Sequence, residues 1–187
     1  NKNNAESVFE VQFKEGPEGL QGNFMYQFMP RPISIAELAP IMETINPQEL
    51  GGEGPAVPTP DLIAAYEEGD LREDASIGYI FLSASFRDDK VYPYIKKFQS
   101  PHVQHNNHGM NWPVYRYAEV LLLMAEAQNE QGKSGEAISL LNQVRERAGL
   151  GSSTASGQAG VREAIFKERR VELAFENKRW FDIMRTD

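Results

Sequence analysis

The chain contains no cysteine, which excludes disulfides, thiolate metal sites and a cysteine nucleophile. This absence assigns no compartment. Basic residues are scarce: 19 Lys and Arg face 27 Asp and Glu, a formal net charge of −8. Such a balance repels a phosphate backbone, and no basic stripe offsets it. Arg169, Arg170, Lys178 and Arg179 are interleaved with Glu168, Glu172 and Glu176, a mixed charged face. Nucleic acid is therefore not expected as a partner. Long hydrophobic runs are also missing. The longest apolar block, Val120 to Ala125, lies between Glu119 and Glu126, far short of the ~20 residues of a membrane span. There is no nucleophile elbow, P-loop, dinucleotide-binding glycine pattern or zinc-protease motif, so no cofactor is expected.

What is present divides the 187 residues in two. Residues 1–112 read as a loop-rich segment with short strands and helices. From Ser7 to Phe13, Phe9, Val11 and Phe13 alternate with Val8, Glu10 and Gln12, the period of a strand. Phe24, Tyr26 and Phe28 alternate with Met25, Gln27 and Met29, which predicts a second strand or an extended aromatic segment bounded by Pro30 and Pro32. Ser34 and Glu37 have the spacing of a capping box, with Pro40 limiting the regularity of the helix. Thr59-Pro60-Asp61 reads as a helix start with Leu62, Ile63 and Tyr66 as its apolar stripe and Gly69 as its end. Ser76–Phe86 and Val91–Phe98 read as extended, with Asp88-Asp89 as the turn between them.

Residues 113–187 read as helical. Pro113 marks the start, and Tyr117, Val120, Leu121, Met124 and Ala127 recur at helical spacing. Gly132 closes that helix. Ser134 caps the next, whose inner face holds Ala137, Ile138, Leu141, Val144 and Ala148, with Gly149 as the stop. Residues 151–160 read as a flexible Gly/Ser linker, before a helix over Val161–Glu176. Leu121, Met124 and Ala125, then Ala137 and Leu141, follow the tetratricopeptide (TPR) register, with Gln128 off the pattern. A generic helical hairpin fits as well, and periodicity does not separate the two. The fold class is mainly α: a TPR-like hairpin scaffold with long loops and a few short strands. The two segments are expected to form part of one larger domain, because a single repeat cannot bury its own face.

Two stretches are more specific. One runs from Arg116-Tyr117-Ala118-Glu119-Val120-Leu121-Leu122 through Ala125-Glu126-Ala127 to Asn142-Gln143-Val144-Arg145-Glu146-Arg147-Ala148-Gly149-Leu150. The other runs from Arg162-Glu163-Ala164-Ile165 through Glu168-Arg169-Arg170-Val171-Glu172-Leu173-Ala174-Phe175-Glu176 to Arg179-Trp180-Phe181-Asp182. Both resemble the C-terminal signature of the SusD/RagB family. Val8-Phe9-Glu10-Val11 and Pro60-Asp61-Leu62 with Gly69-Asp70-Leu71-Arg72 resemble it more loosely. The resemblance implies a TPR-rich helical scaffold and a loop-built ligand face. It also implies a lipid-anchored protein on the cell outer membrane that delivers oligosaccharides, polysaccharides or peptides to a SusC-like TonB-dependent transporter. On this reading the chain is a C-terminal portion of a longer one: the lipid-attachment motif, the N-terminal TPR helices and the family's Pro- and Asn-containing tail have no counterpart here. Asn177 stands where the family commonly carries Gly, which predicts a left-handed reversal that folds Trp180 and Phe181 back onto the preceding helix, with Trp180 as core.

Candidate functional residues follow. Paired carboxylates are what glycosidases use, but Glu168 and Glu172 lie one helical turn apart beside Arg169 and Arg170, a spacing that favours ion pairing; Arg116, Arg145 and Asp182 are read alike as helix ties. His102, His105 and His108 share one short loop, a weak pattern for Zn or Ni, and a polar exposed loop is the preferred reading. Sugar capture needs aromatic faces with amides nearby. Asn23, Tyr26 and Gln27, with Asn111 and Trp112, offer both. Phe24 and Phe28 read as core, while Tyr26 and Trp112 fit either role. The leading function is non-enzymatic nutrient binding; a TPR-type protein-interaction scaffold and a carboxylate glycoside hydrolase are the alternatives.

Overall fold

The computed structural model describes residues 2–51, 56–82 and 90–186. In chain order it holds β1 (Ser7–Val11), a 3-10 helix (Phe24–Phe28), α1 (Ile35–Met42), β2 (Thr44–Asn46), α2 (Pro60–Ile63), α3 (Leu71–Ser76) and β3 (Ile77–Leu82). β4 (Lys90–Ile95), β5 (His102–Gln104), β6 (Trp112–Arg116), α4 (Tyr117–Glu130), α5 (Ser134–Arg147), α6 (Gly157–Glu172) and α7 (Arg179–Thr186) follow. The fold is mainly α, with the strands in two-stranded pairs: β1–β6 and β3–β4 antiparallel, β2–β5 parallel. The expected Asp88-Asp89 turn lies outside the described residues. Among the described residues no helix is long and apolar enough to cross a membrane.

The helical part is built on close approach. Ala125 and Ala137 are wholly buried where α4 meets α5, and Leu122, Leu141, Val161 and Ile165 fill the space between α4, α5 and α6. Gly132 takes φ +79° in the turn between α4 and α5, a conformation glycine adopts without strain. Ser134 does not cap α5: its hydroxyl donates to Asn129 Oδ1 at 2.8 Å, and Lys133 is the N-cap. Met124, which fills a large-residue position of the TPR register, is 50% exposed. The predicted linker is not free either. Asn129 Nδ2 donates to Gln158 O (2.8 Å) and Gln158 Nε2 to Asn129 O (2.9 Å). These bonds tie the segment to α4, and α6 begins already at Gly157.

The loop-rich part has its own core of Met25, Tyr26, Met29, Ile33, Leu38, Met42, Leu50, Leu82 and Tyr94. Ser34 and Glu37 form the expected capping box on α1. Thr59 caps α2 as expected, but that helix stops at Ile63, and Tyr66 is buried beyond its end. Three other expectations are corrected. The segment Asn23–Met29 coils instead of extending: Tyr26 N–H donates to Asn23 O, which turns Met25, Tyr26 and Met29 inward together. Pro113 does not open a helix. It lies in β6 opposite Glu10 of β1, a two-stranded pairing in which a residue without an N–H is tolerated, and α4 starts at Tyr117. Finally, Phe175 and Asn177 take φ +69° and +60°, giving the predicted reversal, yet Trp180 and Phe181 are 67% and 66% exposed. Buried Arg169 is the reason. It needs a counter-charge, and Asp182 is the residue of α7 that turns inward to supply it.

Candidate functional site

The β1–β6 pairing sets Val11 opposite Trp112, and the 3-10 helix brings Phe24 and Phe28 alongside. Phe24 meets Trp112 edge-on at 5.1 Å between centroids and Phe13 at 5.7 Å. Phe98, 1% exposed, stacks under Trp112 at 5.0 Å with 24° between the planes. The result is a groove of about 370 Å³ lined by Val11, Phe13, Phe24, Gln27, Phe28, Trp112 and Asn177. Its described lining holds four rings, one valine and two amides, and no ionisable side chain. Aromatic faces against C–H groups, with amides at the edge for hydroxyls, suit an uncharged polyol such as a sugar.

The groove brings together Gln27 and Trp112 of the five residues expected to contact ligand. Asn23 is exposed beside it. Tyr26 and Asn111 are instead buried with their polar atoms engaged. Tyr26 is 1% exposed, and its hydroxyl lies 2.5 Å from His102 Nε2. Nδ1 of His102 faces the Ser100 carbonyl and must donate, so Nε2 accepts from the tyrosine; burial pushes the phenol up to about 12. Asn111 accepts from Phe13 N–H at 3.0 Å and donates to Glu10 and Gln12 at 2.7 and 2.9 Å, which fixes Phe13 at the groove rather than offering an amide to it. Phe24 and Phe28, read as core, are half-buried groove walls. Phe13 and Asn177 were not anticipated as site residues. Strand alternation showed only the face Phe13 occupies, and Asn177 was read for its backbone alone.

The histidines do not form the expected exposed loop: His102 and His108 are buried with their rings edge-on 6.2 Å apart, and His105 packs on the Tyr26 ring at 4.0 Å. His105 Nδ1 accepts from Gln48 N–H and His108 Nδ1 from Met110 N–H. Burial, with His102 nearby, lowers His108 to about 4, so this ring is neutral at pH 7. Among the described residues no group of three or more His, Cys, Asp or Glu side chains is arranged to hold a metal ion.

Behind the groove lies a buried charged network. Glu168, Glu172, Glu176 and Asp182 are 2–5% exposed. Arg72 bonds Asp70, Glu168 and Glu172, and Arg145 joins Glu67 to Glu168. Arg116 holds Glu172 at 2.9 Å and Glu176 at 2.7 Å, with Lys97 at 2.5 Å on the latter. Burial alone would raise Glu172, but Arg116 and Arg147 hold its carboxyl at about 2. A glycosidase acid needs a raised value; here the arrangement stabilises the ionised form and ties helices together. The partners differ from the local ones expected, because Arg169 turns to Asp182 and Arg170 to Asp61.

Comparison with known proteins agrees with this architecture. Residues 82–187 match the model of the SusD family. SusD-like protein P2 of Formosa agariphila is 36% identical over 162 residues, covering 72% of this chain and 32% of its own length. Among solved structures, a SusD-like protein from Bacteroides fragilis superposes with a TM-score of 0.73 at 27% identity, over 99% of this chain and 44% of that one. Surface glycan-binding protein A from Bacteroides uniformis shares the fold (TM-score 0.65, 24% identity, 95% of this chain and 36% of that one). The chain spans about a third of the length of the curated relatives it matches.

Proposed function

Because the chain belongs to the SusD family, we propose that it belongs to a non-enzymatic nutrient-capture protein of the outer membrane, and that its aromatic groove holds an oligosaccharide. The observation that carries the reading is the groove itself. Half-buried Trp112, backed by Phe98, stands with Phe24, Phe28 and Phe13 around Gln27. These rings are fixed by the strand pairing and the 3-10 helix, so a sugar binds with little side-chain ordering cost. Capture and release need no bond-making group, and the buried acids are committed to arginines. On the same reading a lipid anchor elsewhere in the protein holds it at the cell surface. A SusC-like TonB-dependent transporter receives the ligand. A second reading, a protein-interaction scaffold, draws on the exposed apolar side chains of α7, Trp180, Phe181 and Met184.

Calorimetric titration of the protein with cello-, xylo-, manno- and maltohexaose, with released reducing ends assayed in the same samples, tests the proposal. Saturable binding to one class without product supports it. Trp112→Ala should then weaken binding about tenfold or more, as removal of a central aromatic anchor does, with a thermal melt confirming that the variant is folded. Product formation would defeat the non-enzymatic reading. Protein binding with silence toward every saccharide would favour the scaffold.

A further inference from the structure

The turn between α6 and α7 carries an amide whose placement the fold itself does not require. Asn177 sits at φ +60°, where glycine is the least strained residue and asparagine the next best tolerated. The reversal is shared with Phe175 at φ +69°, so the backbone does not depend on the Asn177 side chain. That side chain is exposed and has no hydrogen-bond partner among the described residues. The contrast with Asn107, Asn111, Asn129 and Asn142 is direct, since each of those amides bonds a backbone or side-chain group.

Its position is a crossing point. Asn177 lines the aromatic groove beside Trp112. It also lines a cleft of about 480 Å³ that shares Trp112 and continues to Tyr115 and Phe181. A third cleft, about 550 Å³, runs from Asn177 to Phe175 and Trp180. An extended chain lying along the groove passes this corner on its way to either neighbouring cleft. A carboxamide there offers one acceptor and two donors, which matches adjacent hydroxyls that themselves both donate and accept. The groove lining is uncharged, so the segment seated in it is a neutral saccharide; beyond the corner one cleft carries both signs (Lys178 and Arg185 with Glu119 and Asp182) and the other carries Arg170, Lys178 and Arg179.

We infer that Asn177 is a ligand-contacting residue, its carboxamide hydrogen-bonding hydroxyls of a neutral oligosaccharide that extends from the aromatic groove past the α6–α7 turn. This rests on the capture reading above and adds to it a residue and a class of saccharide.

Two variants test it in the same hexaose titrations, with a thermal melt for each. Asn177→Gly keeps the left-handed backbone and removes the amide. Its melting midpoint should match or exceed wild type, while affinity falls about three- to tenfold, the loss of one or two hydrogen bonds. Asn177→Asp keeps the acceptor and the shape but loses the donor, and affinity should fall by a smaller factor. Wild-type affinity in Asn177→Gly, with binding otherwise intact, overturns the inference and leaves saccharide capture standing. Should Asn177→Gly melt early, unchanged affinity in Asn177→Asp overturns it equally. Wild-type protein that binds none of the neutral hexaoses overturns both the capture reading and this one.

Discussion

Glu172 gives the sharpest test of the charged network. The residue is 3% exposed at the end of α6. One carboxylate oxygen accepts from Arg116 at 2.9 Å and Arg147 at 2.5 Å, and the other from Arg72 at 3.1 Å. Burial opposes ionisation, yet the neighbouring cations bring its pKa from 4.5 to about 2. The folded value lies below the unfolded one, so the carboxylate stabilises the fold above about pH 4.5. That contribution is lost as pH falls toward 2. At about 1.4 kcal/mol per pKa unit the shift corresponds to roughly 3 kcal/mol. Glu172→Gln leaves three guanidinium groups short of a counter-charge, and the loss at pH 7 should be about 3–5 kcal/mol, the range for breaking a buried pair from one side. Urea unfolding of wild type and variant at pH 7, 5, 4, 3 and 2.5 measures both effects. The gap should be wide at pH 7 and narrow steadily below pH 4.5. Other carboxylates, such as Glu67 held at about 2 by its bond to Arg145, lose stability in the same window; the wild type–variant difference removes that background. A gap under about 1 kcal/mol at pH 7, or one that stays constant into acid, would refute the reasoning.

Two further substitutions separate structural from binding roles. Tyr26→Phe deletes the hydroxyl on His102 and should cost about 1 kcal/mol in a denaturant titration while leaving saccharide affinity unchanged; a selective loss of affinity would return Tyr26 to the binding site. Trp180→Ser alters a side chain 67% exposed and should change stability by no more than about 0.5 kcal/mol, whereas a loss of about 3 kcal/mol or more would mean that the indole is core after all.

The helical half was largely legible because its signals are local. Gly132 and Gly149 end helices by their own backbone preference, and Ala125 and Ala137 mark the close approach by their size alone. Errors arose where a distant partner decided. Pro113 lies in a strand because β1, about a hundred residues earlier in the chain, pairs with it. Ser134 gave up its cap to a buried asparagine. Asn23–Met29 alternates in sequence, yet it coils into a 3-10 helix because the core around Leu38 and Leu82 takes in Met25, Tyr26 and Met29 together. Trp180 and Phe181 mislead any reading by hydrophobicity, since a buried arginine outranked two aromatic rings in setting the face of α7. The site was half legible for the same reason. Gln27 and Trp112 were identifiable by residue type, while Phe13 and Asn177 join them only through β1–β6 pairing and the α6–α7 turn.

The charged network and the groove are not independent. Arg116 ends the strand that Trp112 begins, and it grips Glu172 and Glu176. Lys97 precedes Phe98, the ring beneath Trp112, and is paired with Glu176. Asn177 follows Glu176 directly. Three elements of the groove are thus pinned by one buried carboxylate, each through a residue close in sequence. Apolar packing could supply comparable stability, since replacing buried ion pairs by hydrophobes is often neutral or stabilising. What it would not supply is directionality: charge-assisted hydrogen bonds orient the Arg116 and Lys97 head groups on Glu176 as well as setting their distance. The network that identifies the family in the sequence therefore has a local consequence at the candidate site. It sets the relative positions of Trp112, Phe98 and Asn177, so damage to Glu176 should lower saccharide affinity even where the residues lining the groove are all intact.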